Sequence, residues 1–118
     1  MSVWNLLDHF SPEEFAPHPE KMNEELLRRL NTARHFAGLP IYVTSHYRPG
    51  DPKAHGAGDA VDIADNLQGE PCTSTWRYHV LRSLLAAGFK RIGVYDRHIH
   101  ADVSRTLPQE VMWWAKSQ

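Results

Sequence analysis

The stretch RPGDPKAHGAGD, residues 48–59, constrains the fold of this chain more than any other segment. It holds two prolines, three glycines and two aspartates, a composition that interrupts both helices and strands. The segment before it, IYVTS at 41–45, has the β-branched and aromatic residues of a strand, and the segment after it, AVDIA at 60–64, reads as a second short strand. We therefore predict an irregular loop between two strands, with His55 in that loop.

Two segments carry the periodicity of amphipathic helices. In residues 23–37 apolar side chains recur at steps of three and four, and Gly38 ends the pattern. Residues 74–87 repeat the pattern, with Gly88 as the C-terminal cap. We predict a helix over each segment, with one face buried.

Shorter helices are predicted near both ends of the chain. In FSPEEF, Ser11 is suited to be an N-cap, and Glu14 stands at the capping-box position. At the other end, LPQEVMWWAKS, residues 107–117, predicts a short closing helix. Its residues Trp113 and Trp114 would either line a cleft for a sugar or a peptide or cap a small core, and we favour the second interpretation.

A hairpin is predicted after the second long helix. RIGVY at 91–95 and HIHADV at 98–103 have strand composition, and two residues join them. Because side chains alternate along a strand, His98, His100 and Asp102 share one face. Helices and strands come in runs rather than in strict alternation, so we predict an α+β fold with helices packed on a small antiparallel sheet.

Ligand-type side chains stand in two separate segments. Alternation in the strand at 60–64 directs Asp62 away from the core. Only small residues and one acid separate His55 from Asp62, and Gly58 can adopt backbone angles that other residues avoid, so the loop can fold back on the strand. A catalytic zinc site takes three protein ligands and keeps one position for water. The candidates are His55, Asp62 and one histidine of the pair at 98 and 100.

The spacing alone leaves a second interpretation open. In that interpretation the glycines serve only to build a loop, Asp62 is solvated, and the alternating histidines are the polar surface of an edge strand. Asp102 likewise either supports a ligating imidazole or lies in solvent. Two separate ligand-rich segments favour the metal site.

Composition excludes several classes of protein. The net charge is -1 and the basic residues are scattered, so we expect no nucleic-acid partner. Cys72 is the single cysteine, which excludes an intrachain disulfide and a thiolate metal cluster. We find no apolar run of the length of a membrane span or a signal sequence, and expect no membrane partner and a protein that is cytoplasmic as synthesised. With 118 residues, 1–118 should form a single domain.

Two motifs resemble those of a known family. HGAGDAVD at 55–62 fits the pattern H-x-x-G-x-A-x-D, and GVYDRHIHAD at 93–102 looks like the G-x-Y segment followed by H-x-H. Both are typical of zinc D-alanyl-D-alanine carboxypeptidases and their relatives, which include VanY-type peptidases, phage endolysins of the L-alanyl-D-glutamate peptidase kind and the hedgehog signalling domain. FSPEEF, LLRRLNTAR, PIYVTSHYRPG and AGFKRIGVY follow the same order, so the resemblance covers about residues 10–105.

The resemblance implies roles for particular residues. Zinc would be bound by His55, Asp62 and His100. Ser45 and Arg48 match the S-x-x-R segment, whose arginine is associated with the carboxylate or carbonyl of the substrate. His98 would lie near the zinc-bound water, and Asp96 is the nearest match to the catalytic carboxylate. The chain departs from the family at Arg97, where relatives usually have the catalytic acid, and at Lys53, where many have serine.

The function implied is that of a zinc metallopeptidase that hydrolyses peptidoglycan peptides containing D-amino acids. It would act as a carboxypeptidase or as an endolysin-like endopeptidase, in a hedgehog or D-Ala-D-Ala-peptidase type of fold. The substrate would be a peptidoglycan stem peptide or another D-amino-acid peptide. The protein would be a monomer, and a phage lysis system would release it to the cell wall. The alternative is a non-catalytic zinc-stabilised binding or virion structural module.

Overall fold

Five strands form one mixed sheet in the computed structural model, which describes residues 2–116. The strands are β1 (Tyr42–Ser45), β2 (Ala60–Ala64), β3 (Arg91–Val94), β4 (Ile99–Asp102) and β5 (Val111–Trp114), in the spatial order β1-β2-β4-β3-β5. The neighbouring pairs β1–β2, β2–β4 and β4–β3 are antiparallel, and β5 runs parallel to β3. The predicted α+β class is confirmed, and the predicted antiparallel arrangement holds for four strands but is wrong for β5.

The C-terminal segment is a strand, so the predicted helix over 107–117 is wrong. Its VMWW sequence is β-branched and aromatic, and the open edge of β3 offers it backbone hydrogen-bond partners. The first N–H of β5 donates to the Lys90 carbonyl and the N–H that follows the strand donates to the Val94 carbonyl, each at 3.0 Å. Ser117, the last residue of the predicted helix, lies outside the described residues.

The two C-terminal tryptophans do not cap the core. They alternate across β5, so that Trp113 is half-buried and Trp114 is 68% exposed. The Trp113 ring lies over Gly93, where any side chain would overlap the ring. Glycine in β3 therefore makes room for Trp113 on the face of the sheet opposite to the helices.

The two long predicted helices are present. α1 spans Glu24–Ala37, where the Asn23 side chain accepts two backbone N–H donations at the start and Gly38 takes the left-handed conformation at the end. α2 spans Ser74–Ala86, capped by the Thr73 hydroxyl, and ends one residue before the predicted boundary. Within residues 2–116, neither the length nor the composition of any helix suits it to cross a membrane.

The N-terminal region consists of single helical turns. Val3–Leu6, Pro12–Phe15 and Pro19–Lys21 are all 3-10 helices. The Ser11 N–H donates to the Glu14 carboxylate at 2.9 Å, so the predicted start of a short helix in FSPEEF is confirmed.

The hydrophobic core lies between the helices and one face of the sheet. The largest fully buried apolar side chains from these elements are Leu26, Leu27 and Leu30 of α1, Val80 and Leu84 of α2, and Val61, Ile63, Ile92 and Ile99 of the sheet. Because strand side chains alternate, the residues between these apolar positions point to the other face of the sheet. That second face carries the polar side chains described below.

Gly58 shapes the loop that carries His55. Its φ is 75°, so the predicted special conformation is confirmed. A Cβ at this position would lie 1.9 Å from the Lys21 carbonyl oxygen. The Gly58 carbonyl accepts the Asn23 N–H at 2.9 Å, so the loop is bound to the start of α1.

Gly58→Ala should lower the free energy of unfolding by about 3 kcal/mol or more. The new Cβ would overlap the Lys21 carbonyl oxygen, and alanine is also strained in the left-handed backbone conformation. Gly69 is a matched control, since its φ is also 75° and nothing lies within 4 Å of a Cβ built there. Gly69→Ala should therefore cost only about 1 kcal/mol. Urea unfolding followed by circular dichroism measures both losses, and equal losses would show that the contact with Lys21 does not matter.

Candidate metal centre

One row of cross-strand neighbours builds the polar face of the sheet. Ser45, Asp62, His100, Gly93 and Trp113 pair in register across β1, β2, β4, β3 and β5. Side chains directly opposed on neighbouring strands have Cβ atoms about 5 Å apart. The register therefore brings Asp62 and His100 into contact, although many residues separate them in the sequence.

His55 reaches this row from the loop after β1. Arg48 donates its backbone N–H to the His55 carbonyl at 3.0 Å, and Asp59 donates to the Ala54 carbonyl at 2.9 Å, so the loop closes into a compact turn. The closure brings Nε2 of His55 to 3.3 Å from Oδ1 of Asp62. The imidazole of His55 is buried in this position.

The side chains of His55, Asp62 and His100 can together hold a metal ion. One ligand atom from each lies within 4.8 Å of the other two. Nδ1 of His100 lies 3.2 Å from Oδ1 of Asp62, so both imidazoles face the same carboxylate oxygen. Of the two histidines left open by the spacing, His100 is the one that joins this cluster.

Hydrogen bonds on the outer side of each imidazole set its tautomer. Nδ1 of His55 donates to the His46 carbonyl at 2.8 Å, and Nε2 of His100 donates to the Asp102 carboxylate at 2.7 Å. The inner nitrogen of each imidazole is then a lone-pair acceptor whenever that ring is neutral. Nε2 of His55 is buried and forms no hydrogen bond within residues 2–116. A buried lone pair that faces a carboxylate oxygen is unfavourable unless a cation lies between them, so this donor set fits a metal ion.

The charges in the cluster depend on one another. Burial opposes ionisation of Asp62, but its hydrogen bond with His100 and the electrostatic attraction of the His55 and His100 imidazoles outweigh it, so the pKa of Asp62 lies well below its usual value. Burial also opposes protonation of His100, but its hydrogen bonds with Asp102 and Asp62 outweigh this and raise the pKa of His100. A protonated His100 bridges two carboxylates, and the ring would have to lose the proton on its inner nitrogen to serve as a metal ligand.

Asp102 anchors His100 from behind. Asp102 is 1% exposed, and its Oδ1 accepts N–H donations from Arg91 at 2.8 Å and from the Ser104 backbone at 3.0 Å. A carboxylate on the outer nitrogen of a ligating imidazole fixes the ring and makes the inner nitrogen more basic. Of the two alternatives that the sequence left open for Asp102, the structure shows the buried contact with His100.

Asp102→Asn should weaken metal binding by about 10- to 100-fold, because a neutral amide orients His100 less firmly and polarises it less. Competition with a chromophoric chelator measures the dissociation constant. Asp65 provides a matched control, since its carboxylate accepts the Thr73 N–H at 2.9 Å outside the cluster. Asp65→Asn should leave metal affinity unchanged, and an unchanged affinity in Asp102→Asn would contradict the role given to Asp102.

The cluster lies in an open cleft with a volume of about 670 Å³. Its walls come from the β1–β2 loop, the β3–β4 hairpin and the C-terminal strand, and include Arg48, Lys53, Tyr95, His98, Trp113 and Lys116. This volume lies within the range of sites that bind small molecules and short peptides.

Arg48 stands beside the metal cluster with its side chain about half exposed. Its Nη2 donates to Oδ2 of Asp62 at 3.1 Å, and its Nε donates to the Ser45 hydroxyl at 3.0 Å. Its Nη1 donates to Asp51 at 3.4 Å. The structure therefore brings Ser45 and Arg48 together next to Asp62, and their contact with a substrate stays a prediction.

His98 lines the cleft next to the cluster. Its ring stacks on Tyr95 with centroids 4.3 Å apart, and its Nε2 lies 3.9 Å from Oδ2 of Asp62. Burial outweighs the attraction of Asp62 and lowers the pKa of His98. The imidazole is therefore neutral near pH 7 and can accept a proton.

Asp96, the other predicted catalytic residue, is not among the described residues that line the cleft. It lies in the turn between β3 and β4, its carbonyl accepts the Cys72 N–H at 2.8 Å, and its side chain is about half exposed. Residues in a tight turn do not follow the alternation of the flanking strands. Catalysis by Asp96 stays a prediction that its position does not favour.

Sequence reasoning treated a cleft wall at Trp113 only as the less favoured alternative, and it did not include Tyr95. Trp113 donates its indole N–H to the Tyr95 hydroxyl at 3.1 Å, and its ring lies 5.5 Å from that of His100. The available signal was Gly93, because glycine inside a strand often marks a place where another group approaches closely. The identity of that group depends on β5, which the sequence pattern did not predict.

Comparisons of the chain with protein-family models, with curated proteins and with solved structures found no match. The function is therefore inferred from the chemistry of the cluster and the cleft, together with the motifs quoted above.

Proposed function

We propose that this chain is a zinc metallopeptidase that hydrolyses peptidoglycan peptides containing D-amino acids, in a fold of the hedgehog and D-Ala-D-Ala-peptidase type. One observation carries the proposal. His55 Nε2, Asp62 Oδ1 and His100 Nδ1 converge in an open cleft, while the outer nitrogen of each imidazole is held by a carbonyl or a carboxylate. The motifs H-x-x-G-x-A-x-D and H-x-H support the peptidase class.

The donor set favours zinc among common metal ions. Two imidazoles and one carboxylate are a combination found at catalytic zinc sites, where three protein ligands leave one position free. Calcium and magnesium prefer oxygen ligands, and no thiolate is near the site to favour a softer ion. The free position would open to the cleft, where a peptide can approach.

His98 is the proposed proton carrier of the reaction. Zinc, when bound, lowers the pKa of a coordinated water and polarises the scissile carbonyl. The neutral His98 imidazole would accept the proton of the attacking water as the C–O bond forms. It would then donate this proton to the departing amine as the C–N bond breaks, so the imidazole ends the cycle as it began.

The experiment that tests the proposal is mass spectrometry of purified peptidoglycan fragments, some ending in D-Ala-D-Ala, after incubation with the zinc-loaded protein. We expect release of a terminal D-Ala or cleavage within the stem peptide, and the product mass identifies the bond. His100→Ala is the control, because it removes a proposed metal ligand and should give no product.

Failure to form either product, with stoichiometric zinc still bound, would overturn the peptidase proposal. It would favour the alternative, a zinc-stabilised binding or structural module. The position of His98 gives this alternative a physical basis, since its Nε2 already lies 3.9 Å from Oδ2 of Asp62 and a small shift would add a fourth ligand.

A further inference from the structure

The charged groups of the cleft are unevenly paired. Its acids are Asp51, Asp62 and Asp102, and its cationic side chains are Arg48, Lys53, Arg91 and Lys116. Arg48 pairs with Asp51 and Asp62, and Arg91 pairs with Asp102. Within residues 2–116, no carboxylate forms an ion pair with Lys53 or Lys116. These two lysines give the cleft positive charge that no described side chain neutralises.

The backbone of Lys53 is held firmly next to the metal cluster. Its N–H donates to Oδ1 of Asp51 at 2.7 Å, and its carbonyl accepts the Gly56 N–H at 3.0 Å. Gly56 packs so closely on the Asp51 carbonyl that a Cβ would lie 1.7 Å from its oxygen. Lys53, which is exposed and lines the cleft, therefore stands in a constrained turn two residues before His55.

Lys116 approaches the cleft from the other side. It follows β5, which the Ala115 N–H ties to the Val94 carbonyl at 3.0 Å. From β2, next to the loop of Lys53, to β5 there are three strand spacings, or about 14 Å. An extended peptide advances about 3.3 Å per residue, so a segment of about four residues would span this distance.

The guanidinium group of Arg48 already forms contacts with side chains of the protein itself. Its three contacts are Ser45, Asp51 and Asp62, and the last of these is a metal-ligand candidate. Arg48 therefore neutralises acids of the chain itself, whereas the two lysines can bring an uncompensated charge to a ligand. A divalent cation in the cluster would increase the positive potential of the cleft further.

We propose that Lys53 and Lys116 determine substrate specificity by selecting short peptides that carry two separated carboxylates, one near each end of the bound segment. This inference rests on the proposed function, because it names the substrate class of the same cleft. The aromatic wall of Tyr95 and Trp113 lines the same cleft and would contact the apolar part of the peptide.

The test measures peptide binding and cleavage separately on zinc-loaded protein. The probe is a D-Ala-containing peptide with an internal Glu and a free C-terminal carboxylate, compared with versions that carry Gln, a C-terminal amide, or both. Calorimetry on the His98→Ala protein gives affinities without turnover, and mass spectrometry on the wild type gives rates. We expect each neutralisation to weaken binding about fivefold, and both together to weaken it about 25-fold if they act independently.

Lysine variants assign each carboxylate to its partner. Lys53→Met should remove the sensitivity to one neutralisation and leave the other, and Lys116→Met should do the reverse. Lys90 is a matched control, because it is exposed and does not line the cleft. Lys90→Met changes the net charge equally and should leave the preference for the diacid peptide intact.

The outcomes separate this inference from the proposed function. A preference for the diacid that survives in both cleft variants would overturn the inference, and so would an equal loss in Lys90→Met or no binding of any peptide. Diacid-selective binding without cleavage would support the two lysines and overturn the peptidase activity. Cleavage without selectivity would support the peptidase and overturn the role of the lysines.

Discussion

Asp62→Ala protein should pass through gel filtration without metal, while the wild-type protein retains zinc in a stoichiometric amount. Oδ1 of Asp62 is the oxygen that both imidazoles face, at 3.3 Å from His55 and 3.2 Å from His100. Removing it deletes a proposed ligand and the negative charge that offsets the cation. We expect the zinc dissociation constant to rise by more than about 100-fold, the upper range for a residue that only supports a ligand. Mass spectrometry of metal content and chelator competition measure the loss.

Zinc should also stabilise only the protein that keeps the site. Free zinc at about 1,000 times the dissociation constant adds about 4 kcal/mol to the free energy of unfolding of a protein that binds it only when folded. Asp8→Ala is the control, because Asp8 is exposed and does not line the cleft. It should gain the same stability as the wild type. Full zinc occupancy in Asp62→Ala would refute the ligand assignment.

His98→Ala should lower kcat by about 10²- to 10⁴-fold, the range for loss of a general acid–base group. Its zinc content should stay at the wild-type level, because His98 is not one of the three clustered ligands. The physical reason is that burial keeps the His98 imidazole neutral beside the cluster, where it can accept and return a proton. Steady-state kinetics on a cleaved peptide and metal analysis of the same sample measure the two quantities.

Asp96→Asn is the informative comparison for the identity of the proton carrier. Asp96 lies in the hairpin turn and outside the described lining of the cleft, so we expect a much smaller loss of kcat than in His98→Ala. A larger loss in Asp96→Asn would return the catalytic role to the carboxylate that the motif spacing suggests. Loss of zinc in His98→Ala would instead make His98 a fourth ligand and favour the non-catalytic alternative.

His55, Asp62 and the histidine pair at 98 and 100 were predictable as candidates because each lies in a strong local pattern, whereas the choice of His100 rested on the family resemblance. His55 and Gly58 belong to a segment that cannot be helix or strand, and Asp62 and His100 occupy alternate positions of short strands. The helices α1 and α2 were predictable for a similar reason, since periodicity and caps are properties of neighbouring residues. Local propensity acts over a few residues, and in these segments the tertiary contacts agree with it.

The last strand shows where such reasoning fails. Residues 107–117 carry most of their apolar side chains in one continuous run at 111–115, so no periodicity distinguishes a helix from a strand. The open edge of β3 decides the matter, because it offers hydrogen bonds to the backbone of VMWW. An edge provided by residues 91–94 is not visible in the sequence of 107–117 itself. Because the strand was not predicted, the positions of Trp113 and Lys116 were not predicted either.

The sequence by itself determined which residues are suited to ligate a metal and which loop carries His55, because residue chemistry, glycine conformation and strand alternation are local properties. Only the tertiary structure decided that Asp62 and His100 lie side by side, that Asp102 supports His100, and that Asp96 is not among the described residues that line the cleft. Those facts depend on the register between strands, and register is set by packing a whole apolar face against the helices.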